Sequence, residues 1–254
     1  MCIRDRARAL KTPNSRHLIC RSTFSDVKRA IVLDTFPKIM RLAFPNIEYH
    51  INKTDWYATF KNGAEIWFCG LDDKERVEKI LGNEYVTIYF NECHQTSNAT
   101  RETVLTRLAQ QVDQTYKDAD GVEQTKPLPT KAYYDCNPPS KGHWVYKVFH
   151  LKQDPDTKKQ IKDMNDYCSI LMNPGDNIEN LSKSYIKTLE ALSAARRARF
   201  LLGKYADENP NALFNDTKTE ENRVTDASHL PDMVRMVVAV DPSGSGDTDN
   251  AHND

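Results

Sequence analysis

The chain has 254 residues, 39% of them hydrophobic and 28% charged, with a formal net charge of −1. This length supplies one large domain or a domain and a half. The near-zero charge excludes a bulk electrostatic pull toward nucleic acid, so any DNA contact must come from local clusters of Lys and Arg, and no stretch approaches the ~20 apolar residues of a membrane span.

The opening Met1–Arg6 has neither a capping signal nor an apolar period and reads as a reading-frame remnant. His17–Cys20 is a short strand followed by Arg21-Ser22-Thr23. Val27, Ile31, Phe36, Ile39, Met40 and Ala43 recur at helical spacing and predict a helix over 24–44, with Ser25 as N-cap and Pro37 as a kink. Trp56–Phe60 and Glu65–Phe68 are rich in strand formers and flank Asn62-Gly63, which predicts a hairpin closed by a two-residue type I′ turn. Asp72–Leu81 reads as a helix, with Asp72 as its N-cap and Gly82 as its stop.

Val86–Phe90 is an apolar run that fits a strand buried on both faces, as in parallel α/β sheets. Chemistry in such sheets sits just past the carboxyl ends of the strands. Asn91 and Glu92 stand there, in the pattern of a strand that delivers a metal-organising residue and then a glutamate able to orient or deprotonate water. The plain alternative is a buried strand followed by a solvated turn. Beyond it, Ser97 or Asn98 caps a helix to Gln111 that buries Val104, Leu105 and Leu108 and shows Arg101 and Arg107. Asp113–Pro129 is polar and reads as a surface loop. Ala132–Cys136 is another strand, ended by Asn137-Pro138-Pro139, so Asn137 marks a second strand end beside the first.

Ser182 or Ser184 caps a helix over 181–203, whose second half carries Arg196, Arg197 and Arg199; such a run is a solvated face or a contact for DNA or a partner. Residues 207–231 are polar and aperiodic, as a linker is. Met233–Val240 is a new apolar strand closed by Asp241-Pro242-Ser243-Gly244. The six cysteines (Cys2, Cys20, Cys69, Cys93, Cys136 and Cys168) show no CxxC spacing. Three of them lie in or at the end of apolar runs, which points to reduced, buried thiols of an intracellular protein.

From about Arg21 to Asp254 the chain resembles the large subunit of tailed-phage terminases. The landmarks are the Asn62-Gly63 hairpin, Gly70-Leu71-Asp72-Asp73, the strand into Asn91-Glu92, Arg107-Leu108-Ala109-Gln110, Asp135-Cys136-Asn137-Pro138-Pro139 and Val240-Asp241-Pro242-Ser243-Gly244. The resemblance implies a P-loop NTPase-type α/β domain over 1–206, with a mainly parallel sheet and flanking helices. A linker over 207–231 and the first strand of an RNase H-like nuclease over 232–254 would follow. It implies ATP with Mg2+ as cofactors, and Mg2+ or Mn2+ for the nuclease. The implied partners are double-stranded DNA, a small terminase subunit, a portal protein and further copies in a ring, with no membrane, in the cytoplasm of an infected or lysogenic bacterium.

Carried over residue by residue, Glu92 matches the catalytic glutamate. Asn91 stands where an aspartate is usual, so it would support magnesium only as a neutral ligand or through water. Asn137 matches the motif that couples hydrolysis to DNA movement, Arg21 is a candidate phosphate contact, and Arg107 is either a nucleotide sensor or a plain helix-surface arginine. Asp241 matches the first metal-binding aspartate of a two-metal nuclease, with Asp247, Asp249 or Asp254 as a candidate second.

No Gly-x-x-x-x-Gly-Lys-Ser/Thr occurs in the sequence. The resemblance places that loop before His17, and the chain is therefore expected to be an internal fragment without activity of its own. A P-loop helicase and a non-catalytic α/β scaffold with a decayed metal-organising strand are the rival readings.

Overall fold

A computed structural model describes residues 3–72, 74–117 and 119–205, all of them within one unit, Met1–Glu208. The expected linker, the Met233–Val240 strand and Asp241 lie outside the described residues.

Four parallel strands make up most of a six-stranded sheet: β1 (Arg16–Arg21), β4 (Glu65–Gly70), β5 (Thr87–Phe90) and β8 (Lys131–Tyr134). Two antiparallel strands, β2 (Tyr49–Asn52) and β3 (Tyr57–Phe60), extend one side, giving the order β2-β3-β4-β1-β5-β8. The mainly parallel α/β fold expected from the sequence is therefore present. Every residue of β5 is buried, as its unbroken apolar run requires when both faces are covered.

Successive side chains on a strand point to opposite faces. Ile19 of β1 and Tyr89 of β5 join one core with Ile31, Phe36, Met40 and Phe68. Their neighbours Leu18, Cys20, Ile88 and Phe90 join the other core with Ile80, Val104, Trp144 and Val148. Full burial of each such large apolar side chain stabilises the fold by roughly 1.5–3 kcal/mol, so both faces hold the strand ends in register.

The first face carries helix α1 (Ile3–Lys11), where the sequence offered no signal. Its buried residues include Asp5 and Arg6, which pair at 3.1 Å, with the Arg6 guanidinium 4.8 Å from the Phe36 ring centre. A face built from a paired charge shows no apolar period, which is why the opening residues read as a remnant. The same face carries the helical stretch 24–43, made of α2 (Phe24–Asp26), a π-helical middle (Val27–Thr35) and α3 (Phe36–Ala43). Thr23, not Ser25, is its N-cap, accepting from the Asp26 amide at 3.2 Å. Pro37 sits in the first turn of α3, where the wider turns give way to α geometry. A proline there removes no needed donor from the turn it opens.

The hairpin is present, but its turn is not type I′. The Phe60 amide bonds the Ala64 carbonyl and the Gly63 amide the Phe60 carbonyl, each at 3.0 Å, leaving a three-residue loop. Only Gly63 of these takes positive φ, +76°, which is the type I turn with a glycine bulge. Asn62 is recruited elsewhere: its amide donates to the Ala9 and Leu10 carbonyls at the end of α1, at 2.9 and 3.2 Å.

The second face carries α4 (Lys74–Leu81), α5 (Asn98–Leu105) and α6 (Trp144–Tyr146). The Asp72 carboxylate accepts from the Phe24 amide at 3.1 Å, tying α2 to the end of β4. Ser97 caps α5 as expected, but the helix ends six residues before Gln111. There the chain turns back so that the Arg107 carbonyl and the Gln110 amide bond Tyr85, at 2.8 and 3.2 Å. Arg101, expected on the surface, is 6% exposed and stacks 4.9 Å from the Trp144 ring centre. Arg107 donates to the Leu81 carbonyl at 3.0 Å, a helix-end cap.

Asp113–Pro129 is not a loop throughout. It forms a two-stranded hairpin, β6 (Asp113–Lys117) with β7 (Glu123–Pro127), exposed along almost its whole length. With no buried face there is no alternation to read. The expected helix over 181–203 is two, α7 (Lys183–Glu190) capped by Ser182 and α8 (Ala194–Phe200). Ser193, at ψ 154°, breaks them. The described cysteines, Cys20, Cys69, Cys93, Cys136 and Cys168, are free thiols, and no helix among the described residues is long and apolar enough to cross a membrane.

Candidate active site

The parallel strands β4, β1, β5 and β8 end side by side at Gly70, Arg21, Phe90 and Tyr134. The Asn91 amide still bonds the Cys20 carbonyl at 2.9 Å, so Asn91 follows in register beside Arg21. The sheet thus brings Arg21, Asn91 and Glu92 together at one edge, where the sequence placed the chemistry.

Asp135 organises this edge. It is the first residue past β8, opposite Asn91 past β5. Its carboxylate accepts the Asn91 side-chain amide at 2.9 and 3.1 Å, the Glu92 backbone amide at 2.8 Å and the Tyr89 hydroxyl. Its carbonyl accepts from the Cys93 amide at 2.9 Å. The sequence reading passed over Asp135 because it ran the strand to Cys136 and put the strand end at Asn137. Applied to the true end of β8, the rule that singled out Asn91 would have found it. Asn137 lies exposed two residues further on.

Glu92 takes a left-handed backbone, φ 51° and ψ 48°. Such a conformation costs a non-glycine residue on the order of 1–2 kcal/mol and clusters at functional sites. Here Asp135 holds it, by accepting the Glu92 amide. The resulting turn aims the half-buried carboxylate away from the strand and toward His94, whose Nδ1 lies 3.4 Å from Oε2. Burial, and then the Asp135 charge, raise the Glu92 pKa above the usual carboxylate value, while the Arg21 and Arg199 charges pull it back. A carboxylate so placed is a better proton acceptor than an exposed one. Burial, with the Arg199 and Arg21 charges, holds His94 below the usual imidazole value and so favours its neutral form.

The residues after Glu92 are pinned. Cys93–Gln95 form a short 3-10 turn, the His94 carbonyl lies 3.0 Å from His143 Nε2, and the Trp144 indole donates to the Thr96 carbonyl at 2.7 Å. Since His143 Nδ1 accepts from the Val145 amide, Nε2 carries the proton that His94 receives. A hydrogen bond to Cys136, together with burial, pushes the Cys93 thiol up, leaving it an inert packing group beneath the site.

Asn91 must turn its amide nitrogen to the Asp135 carboxylate, which only accepts. Its oxygen is then the donor left for a cation. One hard, neutral oxygen suits a magnesium ion that keeps waters and phosphate oxygens as its other ligands. Among the described residues no three His, Cys, Asp or Glu side chains converge as a metal site.

The family described as phage terminase large subunit matches residues 7–203. Among solved structures, the large terminase of a thermophilic bacteriophage aligns with TM-score 0.55 and 16% identity, over 76% of this chain and 41% of that one. The same terminase in complex with ADP aligns with TM-score 0.55 and 16% identity, over 78% and 42%. Its complex with ATP-γ-S aligns with TM-score 0.54 and 16% identity, over 76% and 40%. The chain therefore spans about two fifths of the length of these terminases, and at this identity the likeness is one of fold. No curated protein matches the chain.

Proposed function

The chain belongs to the phage terminase large-subunit family, and from that premise we propose that it is the ATP-hydrolysing part of a motor that drives double-stranded DNA into proheads. The observation that carries this reading is the carboxylate of Glu92, a residue whose backbone amide is held by Asp135 at the carboxyl end of a buried parallel strand and whose pKa is raised. That is the position and the basicity required of a group that orients a water and accepts its proton. The solved relatives that bind ADP and ATP-γ-S share this fold, and they support a nucleotide as the substrate.

In this reading Glu92 positions the attacking water and Arg21 contacts a phosphate. Asn91 supports magnesium through its amide oxygen, and Asn137, exposed at the same edge, couples hydrolysis to DNA movement. Bound magnesium would neutralise the charge that develops on the phosphates. Asp135 favours this reading over the rival scaffold. The carboxylate absent from position 91 is supplied at the same edge by the neighbouring strand, and it fixes both Asn91 and Glu92.

The domain scheme we propose has the ATPase over 1–206, a linker over 207–231 and the start of an RNase H-like endonuclease over 232–254 that cuts concatemeric DNA with Mg2+ or Mn2+ at Asp241. The small terminase subunit, the portal and further copies in a ring would be its partners, in the host cytoplasm.

The test uses a large subunit that carries this segment. ATP turnover stimulated by double-stranded DNA is expected, and Asn91→Asp should lower the magnesium concentration needed for half-maximal nucleotide binding, because a carboxylate adds charge beside the ion. An unchanged or weaker magnesium titration in Asn91→Asp would remove Asn91 from the metal. No DNA-stimulated turnover in the parent would overturn the motor reading.

A further inference from the structure

We propose that His94 is a positioning residue for hydrolysis: its Nδ1–H holds one oxygen of the Glu92 carboxylate and leaves the other to the attacking water. The proposal rests on the reading of Glu92 as the group that orients that water.

The two side chains meet because of the left-handed turn. Residues two apart on a helical turn do not face each other, yet His94 Nδ1 lies 3.4 Å from Glu92 Oε2. The backbone of Glu92, at φ 51° and ψ 48°, swings its side chain onto the ring. The turn itself is fixed: the His94 carbonyl lies 3.0 Å from His143 Nε2, and the Gln95 amide bonds the Glu92 carbonyl at 3.0 Å. Both side chains are partly withdrawn from water, His94 at 21% and Glu92 at 30% exposure.

His94 Nδ1 is sealed from solvent and has no hydrogen-bond partner among the described residues. A buried polar atom left in that state costs about 1–3 kcal/mol, and the carboxylate beside it can relieve it. At 3.4 Å the contact stands just outside the usual N–H···O range, one small side-chain rotation from closing. A carboxylate only accepts, so the bond closes with the proton on Nδ1 and the lone pair on Nε2. Burial first, and then the nearby arginine charges, favour the neutral ring. A neutral ring lends a hydrogen bond and leaves the carboxylate its charge.

The terminal torsion of a glutamate is broad, so an unheld carboxylate presents either oxygen over a range of angles. Holding Oε2 fixes Oε1 as well. A base that is itself oriented by a third group is the logic by which side chains are set up to take a proton.

Proton–nitrogen NMR correlations of the 254-residue chain read the tautomer directly. At neutral pH His94 should carry its proton on Nδ1, and Glu92→Ala, which removes the acceptor, should shift it toward Nε2. The kinetic arm uses a large subunit that carries this segment. His94→Phe keeps a ring and loses the donor. Its single-turnover hydrolysis should fall by about ten- to a hundredfold, the scale of a misplaced group, with nucleotide affinity within about threefold of the parent. His94→Asn sets an amide N–H near the place of Nδ1 and should recover most of the rate. Near-ultraviolet circular dichroism should show both variants folded.

A proton on Nε2 of the parent would overturn the proposal before any substitution is made. Parent-rate hydrolysis in His94→Phe, with Glu92→Gln slow, would overturn it alone. Equal losses in His94→Asn and His94→Phe would do the same, since they mark a role in packing only. Parent-rate hydrolysis in Glu92→Gln would remove the reading beneath the proposal, and the proposal with it.

Discussion

At the scale of single residues, the site turns on Asp135. Its carboxylate satisfies three donors from β5 and the turn after it, and its charge raises the pKa of Glu92. Asp135→Asn keeps the shape, removes the charge and sets an amide N–H against those donors. Stability should fall by about 2 kcal/mol, the scale of a lost charged hydrogen bond with its donor left unsatisfied, read from the urea midpoint. The Glu92 pKa should move down toward the ordinary carboxylate value, followed by NMR titration of its side-chain carboxyl. An unmoved Glu92 pKa would mean that burial alone sets it. Glu92 and Asn91 were legible in the sequence because a buried strand must end somewhere and they are polar where it ends. Asp135 was not singled out, since Tyr-Asp-Cys-Asn-Pro-Pro offers two polar residues and only the sheet register tells which one abuts Asn91.

At the scale of elements, what could be read from the sequence followed the apolar period. The parallel strands and the Ser97 and Ser182 caps were legible, each from a local pattern with one physical cause. Helix α1 and the β6–β7 hairpin were missed for opposite reasons: one buries a charge pair, the other buries almost nothing. The turn after β3 was misread because Asn62 is spent on the end of α1. The connection after β4 offers a sharp test of how elements fix the edge. A Cβ on Gly70 would lie 2.1 Å from the Phe24 backbone nitrogen and 2.5 Å from its Cα. Backbone cannot rotate aside as a side chain can, so Gly70→Ala must push α2 from the strand end and take Arg21 with it. A loss of about 1–3 kcal/mol in thermal or urea unfolding is expected, as for overpacked cores. An unchanged midpoint would show that this connection is looser than drawn.

At the scale of the whole molecule, acid sensitivity reports the sheet's integrity. His17 is fully buried in β1 with Ser15 Oγ 2.9 Å from Nε2. Burial and the Arg8 charge depress its pKa to about 3. The unfolded chain takes up that proton near pH 6.5, so between about pH 3 and 6.5 the unfolded state binds more protons. Stability therefore rises with pH through that window, at up to ~1.4 kcal/mol per unit from this one group, and is lost as pH falls below about 6.5. His17→Gln should flatten the slope by that share, and parallel slopes would mean that His17 titrates alike in both states. The family and the fold place this sheet in a phage terminase large subunit, and the central claim is that its edge performs hydrolysis through Glu92. The measurement that meets it head-on is nucleotide affinity beside single-turnover ATP hydrolysis in Glu92→Gln of a large subunit that carries this segment. Affinity within about threefold of the parent with hydrolysis down by about a hundredfold or more is the outcome the account predicts, since general-base groups contribute on the order of 10²–10⁴. Hydrolysis at the parent rate would contradict it.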